Sequence, residues 1–265
     1  VGLLAIWLSY RSIPNDTNQR STECFDYPGA ILFMLALSAL LLGLNRGHDW
    51  GWGSPQIIGL LIGAVLLFSV FLWLERRAKN PMVDLKLFQN RRFSLATVSA
   101  ILNYIGIYCV TFLMPFYLIQ GRAFSSAEAG LLLAAQPVVM AVVAPISGTL
   151  SDRLGTRWLA AIGMAVLTVG LVLLAQLGAE SPIGSIVLSL GVMGLGTGLF
   201  ISPNNSALMG AAPRQRQGIS AGILATARNF GMVMGVGIAG SIFTTLLARG
   251  AESNLVGEAS GEVFF

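Results

Sequence analysis

The stretch FSLATVSAILNYIGIYCVTFLMPFYLI, residues Phe93–Ile119, contains 27 consecutive residues without Asp, Glu, Lys or Arg. An α-helix rises 1.5 Å per residue, so about 20 apolar residues cross a hydrocarbon layer of about 30 Å. In lipid, every backbone N–H and C=O group needs a partner within the protein, which favours helix. The stretch therefore predicts a transmembrane helix, and it decides the fold class of the chain.

Six further predominantly apolar stretches have at least 18 residues each: Phe25–Leu44, Ile57–Leu74, Ala127–Leu150, Trp158–Leu177, Ile183–Ile201 and Ile219–Ala248. The apolar run Val1–Tyr10 is too short to cross a bilayer and is interpreted as the last half of another helix. The predicted fold class is an all-α membrane protein, a helical bundle of seven complete transmembrane helices and half of one span. Its surroundings are the lipid bilayer.

The composition of the 265 residues agrees with this prediction. Apolar residues make up 55% and charged residues 11%, and the mean hydropathy is +0.74. Water-soluble domains carry about 25% charged residues. Most of the apolar surface is therefore expected to face lipid.

The basic residues alternate between the loops. If successive helices run in opposite directions, one set of loops holds twelve basic residues: Arg11, Arg20, Arg76, Arg77, Lys79, Lys86, Arg91, Arg92, Arg153, Arg157, Arg214 and Arg216. The other set holds three, which are Arg46, Arg122 and Arg249. Cytoplasmic loops retain Lys and Arg, so the first set is predicted to be cytoplasmic. This topology explains the net charge of +4, and no nucleic-acid partner is expected.

One cytoplasmic turn has the sequence GTLSDRLGTR. Its glycines let the turn tighten and let helix backbones approach, and its aspartate can cap or face a helix N-terminus. Its arginines offer donors to a carboxylate across a seam between domains. A simpler interpretation is an ordinary polar loop. The candidate residues of the turn are Gly148, Asp152, Arg153, Gly155 and Arg157.

This turn resembles motif A of the major facilitator superfamily, in the copy carried by the second half of that fold. Other segments resemble the fourteen-span drug:proton antiporters of the EmrB/QacA type within that superfamily. These segments are Gly51–Pro55, Gln120–Gly121 followed by Ala129–Leu131 with Pro137 and Pro145, Ser202–Met209 and Ala221–Asn229. The similarity extends over nearly the whole chain.

The resemblance implies a division of the chain into six parts. These are a truncated transmembrane helix at residues 1–10, a cytoplasmic loop at 11–27, two extra spans between the bundles at 28–74, a cytoplasmic linker at 75–92, five of the six helices of the C-terminal bundle at 93–248, and an external segment at 249–265 that leads to a missing last span. The N-terminal bundle of the same protein would also be missing.

The function implied by the resemblance is transport by alternating access, in which two bundles rock around a midplane site. A protein of this family would export small hydrophobic or cationic drugs across the cell membrane (the inner or cytoplasmic membrane) in exchange for protons. The proton gradient would be the energy source, and no cofactor is expected. The motif A turn would act as a cytoplasmic latch that favours one conformation.

Arg228 is predicted to lie in the middle of a span, where a charge costs about 2.5–3.5 kcal/mol on insertion scales. Its helical face also carries Ala221, Ala225, Met232 and Gly235, which suits a protein contact or a cavity rather than lipid. With the adjacent Asn229, it is a candidate for tuning a carboxylate or positioning substrate. The alternative is a structural arginine bonded to nearby carbonyl groups.

The seven complete stretches carry no Asp or Glu at membrane depth, since Glu128 and Asp152 are at helix ends. Arginine stays protonated at any accessible pH. If transport is coupled to protons, the main proton-carrying group is therefore predicted in the missing N-terminal bundle, facing Arg228.

Two spans that the resemblance places beside the central cavity carry polar, aromatic and Met residues. Such side chains suit lipophilic, often cationic ligands through area burial, cation–π attraction and adaptable packing. Ordinary helix packing is the competing interpretation. The candidate cavity residues are Asn103, Tyr104, Tyr108, Met114, Gln136 and Met140.

Enzymatic chemistry is not expected. The sequence GISAG around Ser220 matches a hydrolase nucleophile elbow, but no histidine follows it. No catalytic residue and no metal site is predicted. Glycine pairs four residues apart predict close helix packing instead: Gly59/Gly63, Gly194/Gly198, Gly218/Gly222 and Gly231/Gly235.

The sequence is also compatible with two alternatives to drug export. One is a major facilitator carrier for a specific metabolite, siderophore, amino acid or antibiotic. The other is a membrane scaffold or sensor that transports nothing.

Overall fold

The computed structural model describes residues 11, 26–47, 50–51, 53–77, 85–213 and 216–259. Its α-helices are α1 (Tyr27–Arg46), α2 (Pro55–Glu75), α3 (Arg91–Pro115), α4 (Ser126–Leu133), α5 (Ala135–Leu154), α6 (Thr156–Ala175), α7 (Ile183–Gly210) and α8 (Gln217–Ala259). A 3₁₀ turn at Leu85–Gln89 precedes α3, and a π-helical turn at Phe116–Gly121 extends it. The all-α prediction is confirmed, because the described residues form only helices and their connections.

Six helical segments of the described chain are long and apolar enough to cross a bilayer: Pro55–Glu75, Arg91–Gly121, Ser126–Leu154, Thr156–Ala175, Ile183–Gly210 and Gln217–Thr245. The apolar part of α1 is shorter and covers Tyr27–Gly43. All seven stretches predicted as complete spans are therefore helical. The predicted half helix at 1–10, most of the loop at 11–27 and residues 78–84 of the linker lie outside the described residues.

Two helix starts show how the sequence fixes the boundaries. At α2, the Ser54 hydroxyl accepts a hydrogen bond from the Ile57 N–H at 3.3 Å, and Pro55 occupies the first position. At α4, Ser125 and Glu128 form a capping box, in which each side chain accepts from the other residue's backbone N–H. Side-chain acceptors of this kind satisfy the N–H groups that a helix leaves open at its first turn.

The span that contains α4 and α5 is interrupted at Ala134. Pro137 lies four residues after Leu133 and has no N–H to donate to the Leu133 carbonyl. The missing hydrogen bond explains why the helix breaks at this point and resumes at Ala135.

Helix α7 lies at the centre of the bundle and packs against α6, α5 and α3. Glycines let the backbones touch. A Cβ atom at Gly163 of α6 would be 2.6 Å from the Phe200 backbone N, and one at Gly170 would be 2.7 Å from the Met193 N. On α7, a Cβ at Gly194 would collide with the Gln136 carbonyl oxygen.

Helix α8 packs mainly on α3, and α1 pairs with α2. Two of the four predicted glycine pairs are confirmed as close-packing positions, namely Gly194/Gly198 and Gly231/Gly235. At Gly59/Gly63 and Gly218/Gly222 no atom of the described chain would come within 4 Å of an added Cβ, so these pairs are not packing positions within the described chain. The four-residue spacing places each pair on one face of its helix, but only a neighbouring helix makes that face an interface.

Two hydrogen bonds join segments that the predicted alternation assigns to the same membrane surface. At the predicted cytoplasmic end, Asn90 Nδ2 donates to the Ala211 carbonyl at 3.2 Å. At the opposite end, the Tyr117 hydroxyl donates to the Gly178 carbonyl at 2.8 Å. Loops assigned to the same membrane surface are thus in contact.

The last helix continues past the predicted end of its span. Helix α8 has 43 residues and ends at Ala259, a length of about 64 Å at 1.5 Å per residue. The predicted external segment at 249–265 therefore begins as a continuation of this helix.

Candidate functional site

Arg228 lies eleven residues after the start of α8, about 16 Å along the helix axis. Its side chain is exposed, and within the described part of the chain it has no ion pair or hydrogen bond. The Tyr104 side chain of α3 lies within electrostatic range of the guanidinium group. The charge at mid-span is therefore next to the seam between α3 and α8.

Two glycines of α8 bring the tyrosines to this seam. A Cβ at Gly231 would be 2.8 Å from Cβ of Tyr104, and one at Gly235 would be 3.1 Å from Cβ of Tyr108. The thiol of Cys109 donates to the Gly235 carbonyl at 3.2 Å. Because Gly231 is three residues after Arg228, both lie on the same side of α8. The structure thus brings Arg228 and Tyr104 together and places Tyr108 one turn further along the same seam.

An aromatic cluster continues the seam towards the C-terminal end of α3. The Phe112 and Phe116 ring centroids are 5.2 Å apart, and Phe243 of α8 lies 4.8 Å from Phe116. The sequence analysis missed Phe243. Its position in the sequence could have indicated it, because Phe243 lies eight residues after Gly235 and therefore on the same helical face.

The other residues predicted around Arg228 are distributed over two faces. Met232 and Ala225 are partly buried, and Ala221 is exposed. Asn229 is also exposed, but it is rotated about 100° from Arg228 around the helix. The two polar residues therefore face different directions.

Two of the predicted cavity residues are inside packed interfaces. Asn103 is fully buried, with its amide nitrogen 3.7 Å from the Met164 sulfur of α6. Met114 is buried in an apolar cluster with Leu118 and Ile186. Burial of these side chains does not fit the prediction that they line an open cavity, because neighbouring helices of the same bundle already cover them.

Gln136 and Met140 are on α5 and are partly buried. The backbone of Gln136 packs against Gly194 of α7. Helix α5 packs against α7, and α7 also packs against α3. The structure therefore does not bring these two residues together with the tyrosines of α3.

The motif A turn is shorter than predicted. Asp152 and Arg153 belong to the last turn of α5, and Gly155 alone connects it to α6, with φ 87° and ψ 148°. The prediction that Asp152 can cap a helix is wrong for α6, whose N-cap is Gly155 without a side-chain hydrogen bond. Asp152 and Arg157 are exposed.

The first glycine of the turn has a packing function. A Cβ at Gly148 would be 2.8 Å from the Ser202 hydroxyl of α7. One residue earlier, the Ser147 hydroxyl donates to the Gly198 carbonyl at 2.7 Å. These contacts fix the C-terminal end of α5 to α7 and leave Asp152 on the surface.

The described residues contain no group of three or more His, Cys, Asp or Glu side chains that could hold a metal ion.

A polytopic bundle of apolar helices with one charge at mid-span is the architecture of a membrane transport protein. The family model of the Major Facilitator Superfamily matches residues 96–251 of the chain. The chain belongs to this superfamily, whose members are transporters and generally not enzymes.

Curated relatives agree with this assignment. The chain is 32% identical over 247 residues to the riboflavin transporter RibZ of Clostridioides difficile (strain 630), covering 93% of this chain and 53% of the relative. It is 31% identical over 256 residues to the multidrug resistance protein Stp of Mycobacterium tuberculosis (strain ATCC 25618 / H37Rv), covering 96% and 47%. It is 29% identical over 246 residues to the quinolone resistance protein NorB of Staphylococcus aureus (strain MRSA252), covering 92% and 53%. The chain spans about half the length of the curated relatives it matches.

Proposed function

We propose that the full-length protein is a proton-coupled antiporter of the fourteen-span drug:proton type, which exports small hydrophobic or cationic drugs across the cell membrane by alternating access. The observation that carries the proposal is Arg228, an exposed charge at mid-span beside Tyr104 in a chain of this superfamily. A charge at this depth is costly unless protein or water covers it. Relatives named for multidrug and quinolone resistance support the substrate class.

The exposed side chain of Arg228, at the edge of the α8 face that packs on α3, would meet an N-terminal bundle of the same protein. An acidic residue there, facing Arg228, would carry the proton. Arginine cannot release its own proton, so its role would be to stabilise the ionised form of that acid and to lower its pKa. Transport of substrate would then depend on whether the acid is protonated.

The seam between α3 and α8 would supply part of the substrate site. Tyr104 lies beside Arg228, Tyr108 follows one turn further along α3, and the cluster of Phe112, Phe116 and Phe243 lies beyond it. Aromatic rings bury large areas of a flat apolar molecule and attract cations to their faces. A lipophilic compound could therefore bind at several points along this seam.

The exposed Asp152 would form the cytoplasmic latch. It lies at the C-terminal end of α5, where the helix dipole disfavours a negative charge. The same charge is stabilised when it faces a helix N-terminus or an arginine of another bundle. Contact with the N-terminal bundle would therefore favour the conformation that is closed on the cytoplasmic side.

The experiment that tests the proposal is transport by the purified full-length protein in proteoliposomes. A proton gradient should drive accumulation of a lipophilic cationic dye such as ethidium, and collapse of the gradient should abolish it. Dye movement that does not depend on the proton gradient would contradict proton coupling. Absence of dye transport together with gradient-driven transport of another compound would contradict drug export.

A second candidate function is transport of one specific metabolite. The observation in its favour is the 32% identity to a riboflavin transporter. The same proteoliposomes distinguish the two, because a specific carrier would move radiolabelled riboflavin or another single compound and would not be inhibited by unrelated dyes.

A further inference from the structure

Two polar side-chain atoms in the middle of the bundle have no hydrogen-bond partner within the described part of the chain. They are Oδ1 of Asn103 on α3 and Oγ1 of Thr197 on α7, and both residues are 0% exposed. A buried polar group left without a partner costs about 1–3 kcal/mol. Exceptions of this kind need a physical explanation.

Thr197 differs from the other buried hydroxyl residues that the structure describes. Those five donate to backbone carbonyl groups, at distances of 2.7 to 3.1 Å: Thr97, Ser147, Ser151, Ser189 and Ser220. Thr197 lies in a regular helix, where the carbonyl four residues back, that of Met193, is the usual acceptor. Its hydroxyl forms no hydrogen bond with that acceptor.

The register of α3 and α7 places the two side chains opposite each other. Asn204 Nδ2 donates to the Ala96 carbonyl at 3.1 Å, which fixes one level of this antiparallel pair. Asn103 is seven residues after Ala96, and Thr197 is seven residues before Asn204. Seven residues are about 10.5 Å and return to nearly the same helical face. Asn103 and Thr197 therefore face each other at one level, nearer the membrane centre.

Helix α6 closes the third side at the same level. The sulfur of Met164 is 3.7 Å from the amide nitrogen of Asn103. The preceding residue, Gly163, packs against the backbone of α7 at Phe200, three residues after Thr197. The amide oxygen and nitrogen of Asn103 could be exchanged by turning the amide over. One of the two atoms would still have no polar partner, and the other would have only the Met164 sulfur.

We propose that α3, α6 and α7 enclose a binding site for one water molecule. The water donates one hydrogen to Oδ1 of Asn103 and accepts the hydroxyl hydrogen of Thr197. Buried waters of this kind satisfy polar groups that packing leaves without a partner, and they are costly to remove. A metal cation does not fit, because two side-chain oxygens fall short of the six or more that such hard cations require.

This site would connect α3 to α7 one residue away from Tyr104. The water-mediated link would fix the rotation of α3 about its own axis and thereby the direction of the tyrosine. The inference rests on the packing within this bundle alone and does not depend on the proposed transport function.

The test is the thermal stability of the full-length protein with three variants: Thr197→Val, Asn103→Leu and the two combined. These replacements keep the approximate shape and remove the polar atoms. We expect each single variant to lower Tm by about 2–5 °C. The double variant should lower Tm by less than the sum, because the first replacement already weakens the water site.

The matched control is Thr97→Val. This hydroxyl is also buried on α3, but it donates within its own helix to Phe93 at 2.9 Å, so its removal should change Tm by less than the Thr197 replacement. If the site is dry, Thr197→Val and Asn103→Leu each remove an unpaired polar group and raise Tm or leave it unchanged. That result would overturn the proposal.

If a variant fails to accumulate in the membrane, a density map of the unchanged full-length protein, at a resolution that shows ordered water, tests whether the water is present. A peak within hydrogen-bond distance of both atoms supports the site. A direct hydrogen bond between Asn103 and Thr197, or apolar packing between them, refutes it.

Discussion

Gly231 of α8 lies directly against Tyr104 of α3, and a Cβ atom at position 231 would come within 2.8 Å of the tyrosine Cβ and 2.7 Å of the Ile101 carbonyl oxygen. Backbone atoms on both sides set this distance, so no side-chain rotation can relieve the contact. The position of Tyr104 relative to Arg228 therefore depends on the absence of a side chain at residue 231.

The first prediction concerns this contact. Gly231→Ala should push α8 away from α3 and lower the stability of the full-length protein by about 1–3 kcal/mol, the usual cost of overpacking. Gly240→Ala is the matched control, because the added Cβ would be 3.6 Å from the Phe112 ring, an ordinary contact. Thermal unfolding in detergent measures both. Equal loss of stability in the two variants would show that the close approach at residue 231 does not cause the loss.

The second prediction concerns the charge at mid-span. Arg228→Ala should reduce proton-driven transport by about tenfold or more, since a change of 1.4 kcal/mol in the interaction with a facing acid is already tenfold in an equilibrium. Arg228→Lys should retain more activity because it keeps the positive charge. The measurement is the initial transport rate per reconstituted protein. If the original protein and both variants transport equally well, Arg228 is a structural arginine.

The third prediction concerns the latch. Asp152→Asn should weaken transport and leave membrane insertion intact, because it removes the charge but keeps the size of the side chain. Glu180→Gln is the matched control, since Glu180 is an exposed acid at the opposite end of the bundle. Transport rates and the amount of protein in the membrane should be measured together. A normal rate with Asp152→Asn, or the same loss with Glu180→Gln, would count against the latch.

The fourth prediction concerns the link between α5 and α6. Gly155 has φ 87°, a conformation that costs a residue with a side chain about 1–3 kcal/mol. Gly155→Ala should lower the stability of the full-length protein by this amount. At Gly178 no positive φ is present and an added Cβ meets no atom of the described chain within 4 Å, so Gly178→Ala should change stability by less than about 1 kcal/mol. Thermal unfolding again distinguishes the two, and a neutral Gly155→Ala would mean that the turn relaxes.

The fold was predictable because its signals are local. Uncharged stretches such as 93–119 have the length that a bilayer requires, and the alternation of basic loops places their ends on two surfaces. The contacts of Asn90 with Ala211 and of Tyr117 with Gly178 agree with that assignment. Pro137 explains a helix break that a hydropathy pattern does not contain.

The candidate site was only partly predictable, because it depends on which helices meet. The spacing of Tyr104 and Tyr108 placed them on one face of α3, and the structure places α8 against that face. The same reasoning did not separate Asn103, which faces α6 and α7, from its neighbour Tyr104. In the same way, the pairs Gly59/Gly63 and Gly231/Gly235 have identical spacing, but only the second meets another helix of the described chain.

The glycine-lined position of α7 among three other helices bears on how this protein can evolve. Twelve of its 28 residues are buried, and several of its contacts with α5 and α6 are between backbone atoms, so a larger side chain at those positions would separate the helices. The exposed faces of α3 and α8 have no such restriction. A lineage selected for a new transported compound should therefore acquire its substitutions on those two helices, and α7 should tolerate few changes in a saturation mutagenesis screen.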